Sequence, residues 1–262
     1  MRCERRRVAV RSLVVRTMMG KVKKYFKPFR SPVLDFPSHA NMKFLLLAGL
    51  ALVARGADPS SGWLSYARYD APSPTDTITK LSASMIVPET PVGRLGSAAF
   101  WFGVQTFHGD GALVQPIMSK WLGDSFYMFQ EIFDWTDEND EQTSPIKVAA
   151  GDLLTAEVLF VGPRRYIMNM TNHASGRTSN YHYDLLDKQI ATESTAYFVL
   201  EHQPSSCRQL PPNGNVTWFN IAVEVNGQVV ASPQWKAMEE EPKCGSKAVV
   251  TDPATVSIVF QS

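Results

Sequence analysis

Short apolar runs separated by turn residues recur along the chain from residue 63 to its end, and this pattern is the strongest constraint on its fold. Short runs rich in branched and aromatic residues, bounded by Gly, Pro and Asn, are typical of β-strands. They cover residues 63–69, 78–87, 97–104, 112–121, 125–135, 153–160, 165–172, 179–184, 195–202, 217–225, 228–231 and 255–260. Many short strands at this spacing predict one all-β domain, a sandwich or a barrel.

Local signals agree with an all-β fold. The dipeptide Asn226-Gly227 lies between two apolar runs and predicts a two-residue hairpin turn. The best candidate helix, near residues 183–190, is short and lacks a helical pattern of apolar residues. We therefore expect residues 58–262 to form a single β domain.

Charge divides the chain into two unlike parts. Residues 1–41 carry 11 Lys/Arg and 2 Asp/Glu, a net charge of +9, whereas residues 58–262 carry 13 Lys/Arg and 23 Asp/Glu, a net charge of −10. An acidic domain argues against nucleic-acid binding, which needs a basic face. The basic leader has two interpretations: translation begins at Met42, or residues 1–41 are a basic nucleic-acid-binding or organelle-targeting arm.

Residues 42–57 have the three parts of a secretory signal peptide. A Met-Lys start precedes an apolar core of about eleven residues and a small-residue end near Gly56 and Ala57. The core is too short to span a bilayer comfortably, so we expect cleavage and no stable membrane association. This predicts a secreted, extracellular protein.

Cysteines and sequons fit secretion. Cys207 and Cys244 are the two cysteines that follow the signal peptide, and in an oxidising compartment they most simply form one disulfide, although two separate thiols are the alternative. The sequons at Asn169 and Asn215 are candidate glycosylation sites. The histidines are scattered, so we expect no metal site and no cofactor.

Two polar residues close or interrupt apolar runs. Glu201 ends the run 196–201, and Gln115 lies 86 residues earlier in the run 112–117. A dehydrated carboxylate can act as a general base and acid, and a nearby carboxamide can donate a hydrogen bond to an oxyanion. With one water molecule these groups suffice for peptide hydrolysis; the alternative is an edge-strand charge and a satisfied core amide.

Five short stretches resemble the eqolisins, or glutamic peptidases, in order and rough spacing. The family reads approximately A-W-V-G-I-D-G, I-L-Q-T-G, A-W-Y-E-W-Y-P, S-A-G-D and A-E-F-I-I-E, and the matching stretches are residues 100–104, 112–115, 126–133, 148–152 and 196–201. The resemblance covers roughly residues 60–262. It implies a sandwich of two large antiparallel sheets, bent as in concanavalin-like lectins, with a concave active-site face. It also implies an acid endopeptidase with Gln115 and Glu201 as its catalytic residues.

The resemblance also implies a substrate-binding face. The residues that would line it are Trp101, Phe129, Glu131 and Phe133. Strand alternation would put Gln115 on the face of Leu113 and Ile117, and Glu201 on the face of Tyr197 and Val199. Polypeptides would be the substrates of a monomeric enzyme.

The chain departs from the family pattern at several positions. Gln105 replaces an Asp, Pro116-Ile117 replaces Thr-Gly, and Tyr197 replaces the first Glu of A-E-F-I-I-E. Phe129 and Phe133 replace a Trp and a Tyr, and no long propeptide follows the signal. Two other functions therefore stay open: a lectin-like module that binds sugar or peptide, and a glycoside hydrolase in which Glu131 and Glu201 are paired carboxylates.

Overall fold

A computed structural model describes most of the predicted domain. The described residues are 62–91, 97–105, 111–120, 125–134, 139–162, 164–184, 193–203, 207–240 and 243–262. The predicted leader (1–41) and signal peptide (42–57) lie outside them. Of the candidate helix, residues 183 and 184 belong to a strand and the remainder lies outside the described residues.

The described part of the chain folds into β-strands joined by turns and two short 3₁₀ segments. The strands are β1 (Trp63–Asp70), β2 (Ile78–Ile86), β3 (Ser97–Gln105), β4 (Ala112–Lys120), β5 (Phe126–Asp134), β6 (Asn139–Gln142), β7 (Ile146–Val148), β8 (Leu153–Phe160), β9 (Arg165–Asn172), β10 (Arg177–Asp184), β11 (Thr195–Gln203), β12 (Asn215–Val225), β13 (Gln228–Val229), β14 (Lys236–Glu239), β15 (Lys247–Asp252) and β16 (Thr255–Val259).

These strands form two antiparallel sheets packed as a sandwich. The front sheet has the order β14-β1-β11-β3-β4-β5-β6, with β7 also paired to β5. The back sheet has the order β10-β9-β8-β2-β12-β16-β15, with β13 paired to β12. Neither sheet closes on itself, so the sandwich alternative is confirmed and the barrel is not.

The main core lies between the two sheets. One face of each sheet points inward, so alternate side chains along the regular parts of the strands enter this core, as the alternation of the apolar runs predicts. Phe198 of the front sheet meets Trp218 of the back sheet with ring centroids 5.3 Å apart, and Phe100 meets Phe260 at 6.0 Å. Burial of such rings contributes about 1.5–3 kcal/mol each, so packing against the back sheet stabilises the front sheet.

One carboxyl group is buried inside the sandwich. Glu193, directly before β11, has no solvent exposure and accepts a 2.9 Å hydrogen bond from the Tyr166 hydroxyl of β9. Its other oxygen has no partner among the described residues. Burial raises the pKa of Glu193 to about 7, against the opposing effect of its hydrogen bonds.

The front sheet accommodates a proline in a central strand. Pro116 pairs with Gln130 in an unbroken β4–β5 ladder, whereas the β3–β4 pairing skips from Trp101–Ile117 to Val104–Val114. The missing proline N–H therefore falls where one ladder is interrupted. Gly103 lies in this gap, and a Cβ atom there would lie 2.5 Å from the Val114 carbonyl oxygen. Glycine lets β3 and β4 approach closely beside Gln115.

Two local predictions are confirmed. Asn226 and Gly227 both have positive φ, 50° and 75°, and join β12 to β13 as a hairpin. Cys207 and Cys244 form a disulfide with a Cα–Cα distance of 5.4 Å. It joins the segment after β11 to the one before β15. No helix in the described residues is long and apolar enough to cross a membrane.

Candidate active site

A second apolar cluster covers the outer face of the front sheet. Its buried members come from five neighbouring strands and are Trp63, Tyr66, Trp101, Leu113, Ile117, Phe129, Tyr197 and Val199. Phe133 packs against them and is partly buried. A bulge between Trp63 and Ser65 brings both Trp63 and Tyr66 to this face. These residues are buried although they lie on the face of the sheet opposite the main core.

A cavity of about 160 Å³ opens beside this cluster. Its lining residues are Ser97, Ala99, Ile117, Ser119, Phe129, Glu131, Gln142 and Glu201. Two carboxyl groups from β5 and β11 thus face one cavity. A larger groove of about 310 Å³ crosses the outer face of the back sheet, but Glu157 is the one carboxylate among its lining residues. The smaller cavity is the better candidate for chemistry because acid–base groups converge on it.

Glu201 is held by an aromatic donor. The Trp101 indole Nε1–H donates to Glu201 Oε2 at 3.2 Å, across the paired strands β3 and β11. Burial raises the pKa of Glu201, and the Trp101 hydrogen bond opposes that rise because it favours the ionised form. No arginine pairs with Glu201 among the described residues. A carboxyl group so placed is free to face a substrate.

Glu131 accepts hydrogen bonds from two carboxamides. Gln115 Nε2 donates to Glu131 Oε1 at 2.6 Å, and Gln142 Nε2 donates to Glu131 Oε2 at 2.5 Å. Gln142 also donates to Asp140 Oδ2 at 3.1 Å. Burial, followed by the charges of Asp140 and Glu201, raises the pKa of Glu131 well above its ordinary value, although both amide donors lower it.

The predicted residues share the outer face of the front sheet. Gln115 and Glu201 are not paired with each other in the strand register, because β3 lies between their strands. In the strand register Gln115 lies opposite Glu131, while Glu201 lies opposite Ala99. Glu131 links the two, because it bonds to Gln115 and lies close enough to Glu201 to feel its charge. The catalytic roles of Gln115 and Glu201, and the substrate-binding roles of the other residues, stay predictions.

Two departures from the family pattern contact each other. The buried Gln105 directs its Nε2 atom to the Tyr197 hydroxyl, 3.4 Å away. Both positions carry an acid in the family pattern and a neutral side chain here. The two replacements thus compensate locally at the bottom of the aromatic cluster, away from Glu201.

Sequence reasoning missed Gln142 and Asp140. Both lie on β6, a four-residue strand that is polar throughout and therefore lacked an apolar signal. Their relation to Glu131 depends on β6 pairing with β5, where Gln142 lies opposite Glu131. No cluster of three or more His, Cys, Asp or Glu side chains in the described residues could hold a metal ion.

The two sequon asparagines have different surroundings. Asn215 begins β12 and is exposed, whereas Asn169 is half-buried in β9. The Asn169 Nδ2 atom donates to Glu157 Oε1 at 3.0 Å. The nitrogen that would carry a sugar at Asn169 is thus engaged in the folded protein.

Several solved structures are similar to this fold. The structure is similar to scytalido-glutamic peptidase bound to a transition-state analogue inhibitor, with a TM-score of 0.56 and 17% identity over 76% of this chain and 98% of that one. It is also similar to SCP-B, an eqolisin in complex with the tripeptide Ala-Ile-His, with a TM-score of 0.54 and 14% identity over the same shares. No curated protein sequence matches the chain. The profile of the peptidase A4 family matches residues 67–258. The chain therefore belongs to the peptidase A4 family, the glutamic peptidases or eqolisins.

Proposed function

We propose that this protein is a secreted acid endopeptidase that hydrolyses peptide bonds with Glu201 and Gln115. The observation that carries the proposal is Glu201 itself, a carboxyl group bonded to Trp101 at the edge of an aromatic face and open to a cavity. Family membership supports a peptidase. The disulfide, together with the signal-like residues 42–57, supports secretion.

The proposed reaction needs one water molecule and no other reagent. Ionised Glu201 takes a proton from water, and the water oxygen bonds to the scissile carbonyl carbon. The carbonyl oxygen becomes an oxyanion, which the Gln115 N–H stabilises. When the C–N bond breaks, protonated Glu201 gives its proton to the leaving nitrogen, so one residue acts as base and then as acid.

The aromatic outer face fits an extended polypeptide. An unfolded segment lying across β11, β3 and β4 would place apolar side chains beside Ile117 and Phe129, which line the cavity. Its backbone would then pass the opening of the cavity that Glu201 and Glu131 line. This arrangement suits cleavage within a chain, where residues on both sides of the bond contribute to binding.

The direct test is cleavage of a denatured protein between pH 2 and 6. The full chain is expressed in a secreting host, and the secreted product is assayed in the presence of pepstatin to exclude aspartic peptidases. Glu201→Gln should lower kcat at least about 100-fold, because it removes the base and acid. Glu239→Gln, at an exposed position on β14, is the matched control and should retain wild-type activity. A folded wild type that cleaves nothing at any pH rules the proposal out.

One observation favours a second candidate, a glycoside hydrolase. Glu131 and Glu201 line the same cavity, as paired carboxylates must in such enzymes. The same protein preparation, incubated with polysaccharides, should then release reducing sugars and leave the protein substrate intact. Peptide cleavage without sugar release decides for the peptidase.

A further inference from the structure

The Gln115 carboxamide has only one of its two ends satisfied. Its Nε2 atom donates to Glu131, whereas its Oε1 atom is buried and has no partner among the described residues. Buried acceptors are normally hydrogen-bonded. A half-turn of the amide about its last torsion exchanges the two ends at little steric cost. Two orientations of the Gln115 amide are therefore sterically accessible, and hydrogen-bonding neighbours decide which is favoured.

Among the described residues, no cationic side chain contributes to the electrostatics of Glu131. The groups that face it are Gln115 from β4, Gln142 and Asp140 from β6, and Glu201 from β11. Two are amides and two are carboxyl groups. Burial, and then the charges of Asp140 and Glu201, raise the pKa of Glu131 well above its ordinary value, although the two amide donors oppose the rise. In acid, Glu131 is therefore a neutral group that carries an O–H donor.

The neutral form of Glu131 needs an acceptor, and Gln115 offers one. Both Glu131 oxygens now accept from amide nitrogens, which is the pattern of the ionised form. If Gln142 turned to accept the proton, its oxygen would also face Asp140 and its bond to Asp140 would be lost. If Gln115 turned, its unpartnered Oε1 would gain the Glu131 proton. The turn also moves the Gln115 N–H₂ to the position that Oε1 now occupies, where it has no hydrogen-bond partner among the described residues.

We propose that Glu131 is a positioning residue that sets the orientation of Gln115. As a neutral acid it donates its proton to Gln115 Oε1 and frees the Gln115 N–H₂ for the oxyanion; as a carboxylate it binds that N–H₂ itself. This inference rests on the proposed function of the site. It makes activity depend on two carboxyl groups in opposite states, Glu201 ionised and Glu131 neutral. Activity is then confined to a window whose upper edge is the ionisation of Glu131.

The first test is the pH profile of kcat for Glu131→Gln. A glutamine at this position does not ionise and keeps an N–H₂ donor for Gln115 at every pH, so the alkaline limb should move up by at least one pH unit relative to wild type. Glu239→Gln removes a carboxylate from the same sheet and should leave the limb in place. A Glu131→Gln profile with an unchanged alkaline limb overturns the inference, whatever the rate at the optimum, because a merely structural role would scale the whole profile.

The second test needs neither activity nor a variant of Glu131. The side-chain N–H₂ signals of Gln115 are identified by their loss in Gln115→Ala and followed by ¹⁵N NMR from pH 3 to 8. They should shift in one titration step within this pH range. Signals that stay constant over this range overturn the inference. If Glu201→Gln retains cleavage, the proposed function fails, while the Gln115 titration still decides whether Glu131 controls the amide.

Discussion

At the scale of single residues, the site depends on the pKa of Glu201, which burial raises and one hydrogen-bond donor, Trp101, lowers. Burial disfavours the charged form that must act as base, and the Trp101 N–H favours it. The indole therefore has an electrostatic role beyond its packing with Trp63, whose ring lies 4.8 Å away edge to face. Removing the donor while keeping an aromatic ring separates these two roles.

We expect Trp101→Phe to move the acid limb of the kcat/KM profile to higher pH. The hydrogen bond lowers the pKa of Glu201, so its loss lets that pKa rise and the base ionises later. Hydrogen bonds to charged groups contribute about 1.5–3 kcal/mol, so the displacement of the acid limb should be large enough to measure in a pH profile. Trp235→Phe, which removes an indole donor to the Pro253 carbonyl, is the control. An acid limb that coincides in both variants and wild type contradicts this role.

At the scale of elements, the position of Gln115 depends on the close approach of β3 and β4. A Cβ atom at Gly103 would meet the Val114 carbonyl oxygen at 2.5 Å and the Gln115 Cβ at 3.1 Å. Backbone cannot yield to such a contact as a flexible side chain would. The two strands must separate, and Gln115 moves with its strand.

Gly103→Ala should therefore lower both stability and activity. Overpacking of this kind costs about 1–3 kcal/mol, measurable by chemical unfolding, and kcat should fall because the oxyanion donor is displaced. Gly176→Ala is the comparison: Gly176 has a φ of +66° in the β9–β10 hairpin, with no atom within 4 Å of an added Cβ. That variant should lose stability by strain and keep its kcat. Equal kcat values in the two variants would show that Gly103 does not help to position Gln115.

The strands that carry the site could be predicted from sequence because each is apolar enough to show its alternation. β3, β4, β5 and β11 were expected to within about one residue of their ends, and the shared face of Gln115 and Ile117 followed. β6, β7, β14 and β15 were not expected. They are short or largely polar edge and flanking strands, which need no buried stripe. Gln142 was missed with β6, and the Gln115–Glu131 pairing depends on a register that one sequence does not reveal.

At the scale of the whole molecule, pH acts on stability through the buried Glu193. Its pKa in the folded protein, about 7, lies above the ordinary 4.5 that it regains on unfolding. The protonated form is therefore favoured by folding. Its contribution is complete below pH 4.5 and is lost as the pH rises toward 7. The shift corresponds to roughly 3 kcal/mol.

Wild-type protein should thus be about 3 kcal/mol less stable at pH 7.5 than at pH 4 from this residue alone. Glu193→Gln, which is neutral at every pH, should flatten that part of the dependence in urea unfolding. Glu224→Gln on β12 removes one negative charge from the acidic domain without touching the core, and so controls for general repulsion. Parallel stability curves for the two variants would assign the pH dependence to net charge instead.

The hydrogen bond between Asn169 and Glu157 has a consequence for the order of events during synthesis. An oligosaccharide transferase needs the asparagine nitrogen in an accessible, extended acceptor, and the folded protein commits that nitrogen to a neighbouring strand. A sugar at Asn169 is therefore expected to attach before the Nδ2 atom forms its hydrogen bond to Glu157. Asn215 is exposed at the start of its strand, so a sugar could attach there before or after folding. Occupancy at Asn169 would report how long the nascent chain stays open, whereas occupancy at Asn215 would not.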